Sequence, residues 1–319
     1  MKLLLLGASG QVGWELMRSL QPLGEIIAPR RSQVDLSRPA TLRAVVESAV
    51  PTVIVNAAAY TAVDRAERER GSAYAANAAA PAILAEAARR SAALLVHYST
   101  DYVFDGSGEA PRDETAEAGP LNVYGHSKLA GEQAISASDA DWLVLRTSWV
   151  YAARAANFLR TMLRLGAEQS CLRVVSDQIG APTPARLIAD ATAQVVAHAL
   201  RARNEGRFAS SLLHLCAGGQ TSWHGFAQAI FEGWRARHGA ASLKVNRVEP
   251  IPSADFPLPA TRPLNSRLDC SRLEMLHGIR LPDWRVGLGL VLDELPATRP
   301  AAAPAGDRPD DRTFLRSSR

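Results

Sequence analysis

The sequence has few cysteines and no long apolar run. Cys171, Cys216 and Cys270 are far apart and form no Cys-x-x-Cys or histidine-paired spacing, so we expect three buried thiols rather than a disulfide framework or a zinc site. No stretch approaches the ~20 apolar residues of a membrane span. The opening MKLLLLGASG places only four leucines before the glycines, which predicts a strand and not a secretory signal. Together these features favour a cytoplasmic protein without membrane contact.

The sequence also has no large excess of positive or negative charge. The chain has 36 Lys+Arg against 32 Asp+Glu, a net charge of +4, and the basic residues form no block or stripe. Nucleic-acid binding is therefore not expected. The hydrophobic content of 47% and charged content of 21% are typical of a globular protein, and 319 residues exceed one ordinary domain.

Short apolar runs alternate with segments long enough for helices. The runs lie at Leu3–Leu6, Glu25–Ala28, Val53–Val55, Leu94–Tyr98 and Leu143–Leu145. This alternation predicts an α/β fold, with a doubly wound parallel-sheet Rossmann domain in residues 1–150. We expect part of 170–220 to complete that domain, and 151–295 to form mainly a smaller α/β substrate domain. Residues 296–319 lack periodicity and are rich in alanine and proline, which predicts a disordered tail.

The first turn has the composition of a dinucleotide site. Glycines in GASGQVG separate a strand from a helix that begins near Gln11, where a pyrophosphate can approach the backbone at the positive helix end. After the second strand, Arg30 and Arg31 stand where an acidic residue would hold the ribose of NAD, so we expect NADPH, with NADH left open because such arginines are also ordinary surface charges. The candidate cofactor-binding residues are Gly7, Gly10, Gln11, Val12, Gly13, Arg30, Arg31, Asp35, Leu36, Ala59, Tyr60, Thr61, Tyr124 and Lys128.

A second motif contains residues that can take part in catalysis. Tyr124 and Lys128 are four residues apart, so on a helix they share one face. A neighbouring ammonium favours the phenolate, which lets a tyrosine exchange a proton near neutral pH. Thr100 ends an apolar strand earlier in the chain. We expect Tyr124, Lys128 and Thr100 to form the catalytic set for hydride reduction of a carbonyl.

Six sequence blocks resemble the dTDP-4-dehydrorhamnose reductase family, an extended branch of the short-chain dehydrogenases. They are YTAVDRAE at 60–67, HYSTDYVFDG at 97–106, PLNVYGHSKLAGE at 120–132, RTSWVY at 146–151, DQIGAPT at 177–183 and RPLNSRLD at 262–269. The resemblance runs from residue 1 to about 295. It implies reduction of the 4-keto group of dTDP-4-dehydro-L-rhamnose by NAD(P)H, the final step of dTDP-L-rhamnose synthesis.

The resemblance also implies roles for single residues. Tyr124 would donate the proton, while Lys128 would lower the pKa of that phenol and bind the nicotinamide ribose. Substrate-binding candidates are Thr100, Asp101, Trp149, Arg262 and Asn265, the last two being equally candidates for the seam between the domains.

Some family members are magnesium-linked dimers that use two acidic side chains, and the resemblance leaves a homodimer open. Glu15 fits the first acidic position, but Arg186 stands at the second. A cation there repels Mg²⁺, so we expect no tightly held metal ion.

Two other functions remain at this level. Relatives serve as non-catalytic NADP-binding regulatory subunits, but these do not need an intact Thr100, Tyr124 and Lys128. The second alternative function is that of a reductase or epimerase that acts on another nucleotide 4-keto sugar. Dehydratases place glutamate after the Thr-Asp pair, whereas Tyr102 follows Asp101 here, which favours simple reduction.

Overall fold

The computed structural model describes residues 1–296. The predicted disordered tail lies outside the described residues, apart from its first residue.

The strands and helices follow the predicted alternation. The strands are β1 (Lys2–Leu6), β2 (Glu25–Ile27), β3 (Val53–Asn56), β4 (Leu94–Thr100), β5 (Asp141–Thr147), β6 (Val150–Tyr151), β7 (Cys171–Val175), β8 (Ile179–Gly180), β9 (Thr183–Pro184), β10 (Ser211–His214), β11 (Thr221–Ser222) and β12 (Arg247–Ile251). The helices are α1 (Gln11–Ser19), α2 (Pro39–Ala49), α3 (Val63–Ala66), α4 (Arg70–Tyr74), α5 (Ala80–Arg90), α6 (Val123–Ser136), α7 (Phe158–Glu168), α8 (Ala185–Asn204), α9 (Trp223–His238), α10 (Ser271–His277) and α11 (Trp284–Asp293).

The central sheet has six parallel strands in the order β10-β5-β4-β3-β1-β2. The chain moves outward in both directions from the boundary between β1 and β3, so the ligand crevice of such a sheet opens beside the carboxyl ends of these strands. The predicted doubly wound α/β fold is confirmed.

Helices cover both faces of this sheet, which is why its strands are apolar throughout. Successive residues of a strand point to opposite faces. Leu3 and Leu5 accordingly pack in one cluster with residues of α1 and α8, while Leu4 and Leu6 pack in another with residues of α2 and α5.

A separate apolar cluster lies in the second half of the chain. It joins α7, α9 and α11 to the parallel pair of β7 and β12. β10 then returns to the central sheet beside β5. These two observations support our proposed division at residue 150, with a later segment completing the first domain.

All three cysteines are free thiols, as expected, but the expectation that all three are buried is wrong. Cys216 is buried, but Cys171 and Cys270 are only partly so. The Sγ atoms of Cys216 and Cys270 also lie 3.5 Å apart, because the segment around Leu268 packs against the end of β10. In the described part of the chain, every helix is too short or too polar to cross a membrane.

The helix that carries Tyr124 packs unusually closely on its neighbours. A Cβ atom at Gly131 of α6 would lie 2.1 Å from the carbonyl oxygen of Asn77, which belongs to a π-helical turn at 75–79. Only a residue without a side chain allows this approach.

We predict that Gly131→Ala destabilises the protein by about 1–3 kcal/mol or more, because the added methyl group forces the two helices apart. Gly71→Ala in α4 is the matched control, since a Cβ there meets nothing within 4 Å. That change should be neutral or stabilising. Urea unfolding measures both free energies, and equal effects at the two positions would contradict this account of the packing.

Candidate active site

The turn between β1 and α1 has the geometry of an anion cradle. Gly7 has φ +83°, and a Cβ at Gly13 would lie 2.0 Å from the Gly7 carbonyl oxygen, so both positions require glycine. No side chain caps the first turn of α1. Its N–H groups and the helix dipole therefore suit a phosphate group. The amide oxygen of Gln11 accepts a hydrogen bond from Asn157, 3.0 Å away.

The turn after β2 carries the two arginines that were expected to select the cofactor. Arg30 and Arg31 are exposed. The carboxylate of Asp35 accepts hydrogen bonds from the backbone and hydroxyl of Ser37, which lowers the pKa of Asp35. Asp35 thus shapes this turn, and a contact of Asp35 or Leu36 with adenine stays a prediction.

Residues 59–61 follow β3 at the same edge of the sheet. The backbone N–H of Tyr60 donates to Asn77 Oδ1 at 2.8 Å, and its hydroxyl donates to Glu69 at 2.7 Å. Tyr60 and Tyr124 both pack against the small apolar cluster that contains Val123. Ala59, Tyr60 and Thr61 therefore lie beside the first turn of α6.

The first turn of α6 is fixed against the end of β4. Asn122 caps the helix, its Oδ1 accepting from the N–H of Gly125 at 2.8 Å. A Cβ at Gly125 would lie 2.2 Å from the Tyr102 carbonyl oxygen. The Tyr124 ring consequently meets the Tyr102 ring edge to face, with centroids 5.6 Å apart. This contact places the phenol beside Thr100.

Burial controls the proton affinity of Tyr124. Its pKa is raised mainly because burial disfavours the phenolate, and a hydrogen bond with the Thr100 hydroxyl offsets part of that rise. The charge of Asp101 adds to the rise.

Lys128 is held by β4. Its Nζ donates to the Tyr98 carbonyl oxygen at 2.6 Å and lies 3.1 Å from His97 Nε2. Burial lowers the pKa of Lys128 to about 8, and Glu132 opposes this shift. The predicted lowering of the Tyr124 pKa by Lys128 is not seen, because Nζ is directed at Tyr98 and His97.

Buried polar atoms collect at the carboxyl ends of β4 and β5. Those without a hydrogen-bond partner among the described residues are Ser99 Oγ, Asp101 Oδ2, Thr147 Oγ1 and Ser148 Oγ. Such atoms are costly unless a ligand or solvent satisfies them, so their clustering indicates a site for a polar ligand. Burial raises the pKa of Asp101 to about 6, while the Ser266 and Thr100 hydroxyls moderate the rise.

Trp149 follows β5 and is strained, with φ +48°. Its indole stacks on Trp223 with centroids 3.6 Å apart and planes 7° from parallel. A Cβ at Gly180 would lie 2.7 Å from the same indole. Trp149 thus forms a stacked aromatic pair with Trp223, which was not identified from the sequence, and substrate contact by Trp149 stays a prediction.

Arg262 and Asn265 lie at the seam between the two halves of the chain. Arg262 forms a partly buried ion pair with Asp64 at 2.6 Å. The Asn265 side chain donates to the Ala110 carbonyl oxygen at 2.8 Å. These contacts favour the seam over the nucleotide, and substrate contact by either residue stays a prediction.

Polar residues beneath the site were also not predicted from the sequence. Asn77 donates to the hydroxyl of Ser127, which donates to the Tyr124 carbonyl oxygen. His97 lies wholly buried next to Lys128. The available signal was a histidine within the apolar run ALLVHYST.

The position considered for a metal ion, at Glu15, is occupied by ion pairs. Arg186 Nε lies 3.2 Å from Glu15 Oε2, and Arg186 also pairs with Glu294. These contacts support the expectation that no magnesium ion is held tightly at Glu15, which remains a prediction.

Known proteins match the chain over nearly its whole length. The profile of the family described as RmlD substrate binding domain matches residues 1–297. A Burkholderia thailandensis protein named dTDP-4-dehydrorhamnose reductase is 53% identical over 295 residues, covering 92% of this chain and 99% of that protein. A Shigella flexneri protein of the same name is 46% identical over 299 residues, covering 92% and 98%.

A solved structure matches as well. That of dTDP-4-dehydrorhamnose reductase from Bacillus anthracis in complex with NADP has a TM-score of 0.80 at 34% identity. The match covers 92% of this chain and 99% of that chain.

The Asp101 environment predicts a pH-dependent stability. Its folded pKa of about 6 lies above the ordinary aspartate value of 3.8, so the stabilising contribution is complete below pH 4 and is lost as pH rises through 6. The unfolding free energy of the wild type minus that of Asp101→Asn should fall by on the order of 3 kcal/mol over this range.

Asp113→Asn is the control for the sign of this effect. Asp113 is exposed, and hydrogen bonds from Thr115 lower its pKa. The unfolding free energy of the wild type minus that of Asp113→Asn should therefore rise with pH. Urea unfolding at several pH values measures both. A difference for Asp101→Asn that does not vary with pH would contradict the burial of a carboxyl group here.

Proposed function

The chain belongs to the RmlD family, and we propose that it reduces the 4-keto group of dTDP-4-dehydro-β-L-rhamnose with NADPH to give dTDP-β-L-rhamnose. The observation that carries this proposal is the adjacency of Thr100 and Tyr124 at the carboxyl end of β4, with Lys128 one turn along the same helix. The family members described above bear the name of this reductase.

The residues present fit the cofactor. The glycine turn and uncapped helix end suit its pyrophosphate, and the exposed Arg30 and Arg31 suit a 2′-phosphate. When bound there, NADPH supplies the hydride. The solved structure of the Bacillus anthracis relative is in complex with NADP.

Tyr124 supplies the proton. Hydride addition turns the carbonyl oxygen into an alkoxide, a far stronger base than a phenolate, so the proton moves from the phenol to that oxygen. The raised pKa of Tyr124 suits this direction, because it keeps the phenol protonated at neutral pH. The Thr100 hydroxyl, adjacent to the phenol, helps to hold the oxygen in position.

Groups suited to a deoxysugar lie at the carboxyl ends of β4 and β5. The orphaned oxygens of Asp101 and Ser148 are suited to sugar hydroxyls. The partly exposed Trp149, backed by Trp223, offers an apolar surface to a ring. We propose that these groups hold the deoxysugar beside Tyr124.

We also propose a cytoplasmic location and a homodimer. The free thiols and the composition support the first, and the family resemblance supports the second.

A panel of dTDP-keto-sugars with NADPH deuterated at the transferred position tests the reaction. The expected result is cofactor oxidation with dTDP-4-dehydro-L-rhamnose and deuterium on carbon 4 of the product sugar. A lack of oxidation with every sugar would point to a regulatory subunit. Preferred turnover of a different keto-sugar would assign the reductase another substrate.

Removing the phenol should abolish most of the turnover. General acid catalysis contributes roughly 10²- to 10⁴-fold, so Tyr124→Phe should lose at least about 100-fold in kcat with a smaller change in KM. Tyr74→Phe, a partly exposed tyrosine of α4, is the control. Turnover of Tyr124→Phe at the level of Tyr74→Phe would dismiss Tyr124 as the acid.

The cofactor preference should depend on the turn after β2. We predict a higher kcat/KM with NADPH than with NADH, and a loss of roughly tenfold or more with NADPH alone in the double variant Arg30→Ser, Arg31→Ser, because charge-assisted hydrogen bonds are worth about 1.5–3 kcal/mol. Arg201→Ser, in the last turn of α8, is the control. A wild-type preference for NADH would refute the assignment.

A further inference from the structure

A row of buried polar groups lies under the proposed site and is not explained by the reaction. Asn56 at the end of β3 lies 3.0 Å from His97 of β4, measured from Nδ2 to Nδ1. The other ring nitrogen, Nε2, lies 3.1 Å from Lys128 Nζ. The same Nζ donates to the Tyr98 carbonyl oxygen. All three side chains are buried.

The backbone fixes the orientation of Asn56. Its Oδ1 accepts a hydrogen bond from the N–H of Ala58 at 3.2 Å, so the amide nitrogen must be the atom that faces His97. An amide NH₂ group donates and does not accept. His97 Nδ1 is therefore the acceptor.

The tautomer of His97 follows from this contact. A neutral imidazole carries one hydrogen, so an accepting Nδ1 places that hydrogen on Nε2. Burial and the nearby Lys128 hold the pKa of His97 well below its usual value, which keeps the ring neutral. The Nε2–H group then faces Lys128.

An ammonium group cannot accept this hydrogen bond, because it only donates, whereas a neutral amine has a lone pair. Reversing the Asn56 amide would remove the conflict at Lys128 but would set an NH₂ group against the N–H of Ala58. With His97 neutral, the amine form of Lys128 is the state in which every contact in the row pairs a donor with an acceptor.

We propose that His97, held as the Nε2–H tautomer by Asn56, is a positioning residue that weakens the proton affinity of Lys128. Lys128 then exchanges its proton near neutral pH instead of remaining a permanent cation. Under the function proposed above, on which this consequence rests, the ammonium form of Lys128 can release a proton that restores the Tyr124 phenol after each turnover, and the resulting amine takes up a proton from solvent.

Burial lowers the proton affinity of Lys128 in the same direction, whereas the other groups around it do not. Glu132, one turn along α6, favours the ammonium, and it is itself paired with Arg146 of β5 at 2.6 Å. Asn77, from the turn packed against α6, is uncharged and bonds to Ser127.

The tautomer is measured directly by long-range ¹H–¹⁵N NMR of protein labelled at histidine. The His97 signals are assigned by their loss in His97→Gln. We expect Nδ1 to be unprotonated and Nε2 to carry the hydrogen in the wild type. An Nδ1–H tautomer, or a doubly protonated ring at neutral pH, would overturn the proposal whether or not the protein is a reductase.

Asn56→Asp tests the coupling to Lys128. A carboxylate accepts where the amide donated, so His97 should change to the Nδ1–H form and its Nε2 should accept from an ammonium. The pKa of Lys128, followed by NMR of lysine labelled with ¹³C at Cε, should rise by at least about one unit, a tenfold gain in proton affinity. The remaining lysines, Lys2 and Lys244, are exposed and serve as internal controls.

Two results would contradict this coupling. If the pKa of Lys128 rises while the tautomer is unchanged, the added charge alone explains the rise. If the tautomer changes while the pKa stays constant, His97 does not act on Lys128. The pH dependence of kcat in Asn56→Asp then tests the role of Lys128 in the reaction. We expect the apparent pKa of kcat to rise by the same amount as the pKa of Lys128 measured by NMR. An unchanged apparent pKa would show that Lys128 takes no part in the proton transfer.

Discussion

The site depends on how α6 is seated against the end of β4. Lys128 Nζ bonds to the Tyr98 carbonyl oxygen, while the absence of side chains at Gly125 and Gly131 lets the helix approach its neighbours closely. A side chain at either glycine would move the helix axis outward. Tyr124 would then lose its place beside Thr100, and with it the pairing of a proton donor and a positioning hydroxyl.

Burial gives this arrangement its chemistry. Low polarity disfavours every charged form, so the same enclosure raises the pKa of Tyr124, raises that of Asp101 to about 6 and lowers that of Lys128 to about 8. The pKa values of Asp101 and Lys128 therefore lie within about one unit of neutral pH, whereas Tyr124 stays protonated. Such groups can give up or take a proton with little reorganisation, which a reduction requires once negative charge forms on the substrate oxygen.

Much of this could be predicted from the sequence, because it depends on local patterns. The apolar runs predicted the strands of the sheet, and the four-residue spacing of Tyr124 and Lys128 predicted one helix face.

What could not be predicted depends on contacts between distant segments. Trp223 meets Trp149 only after the second half of the chain has folded, and Cys216 meets Cys270 in the same way. Arg262 illustrates the same limit, since its partner Asp64 lies on a different part of the chain. The direction taken by Lys128 was missed because it depends on His97, whose role no spacing rule describes.

The most direct test is a crystal structure of the complex with NADP and the product dTDP-L-rhamnose. The account predicts that Tyr124 Oη and Thr100 Oγ1 both lie within hydrogen-bonding distance of the oxygen on carbon 4 of the sugar, with the nicotinamide on that carbon's other side. A sugar bound with carbon 4 out of reach of Tyr124, or a phenol turned away from the nicotinamide, would contradict it.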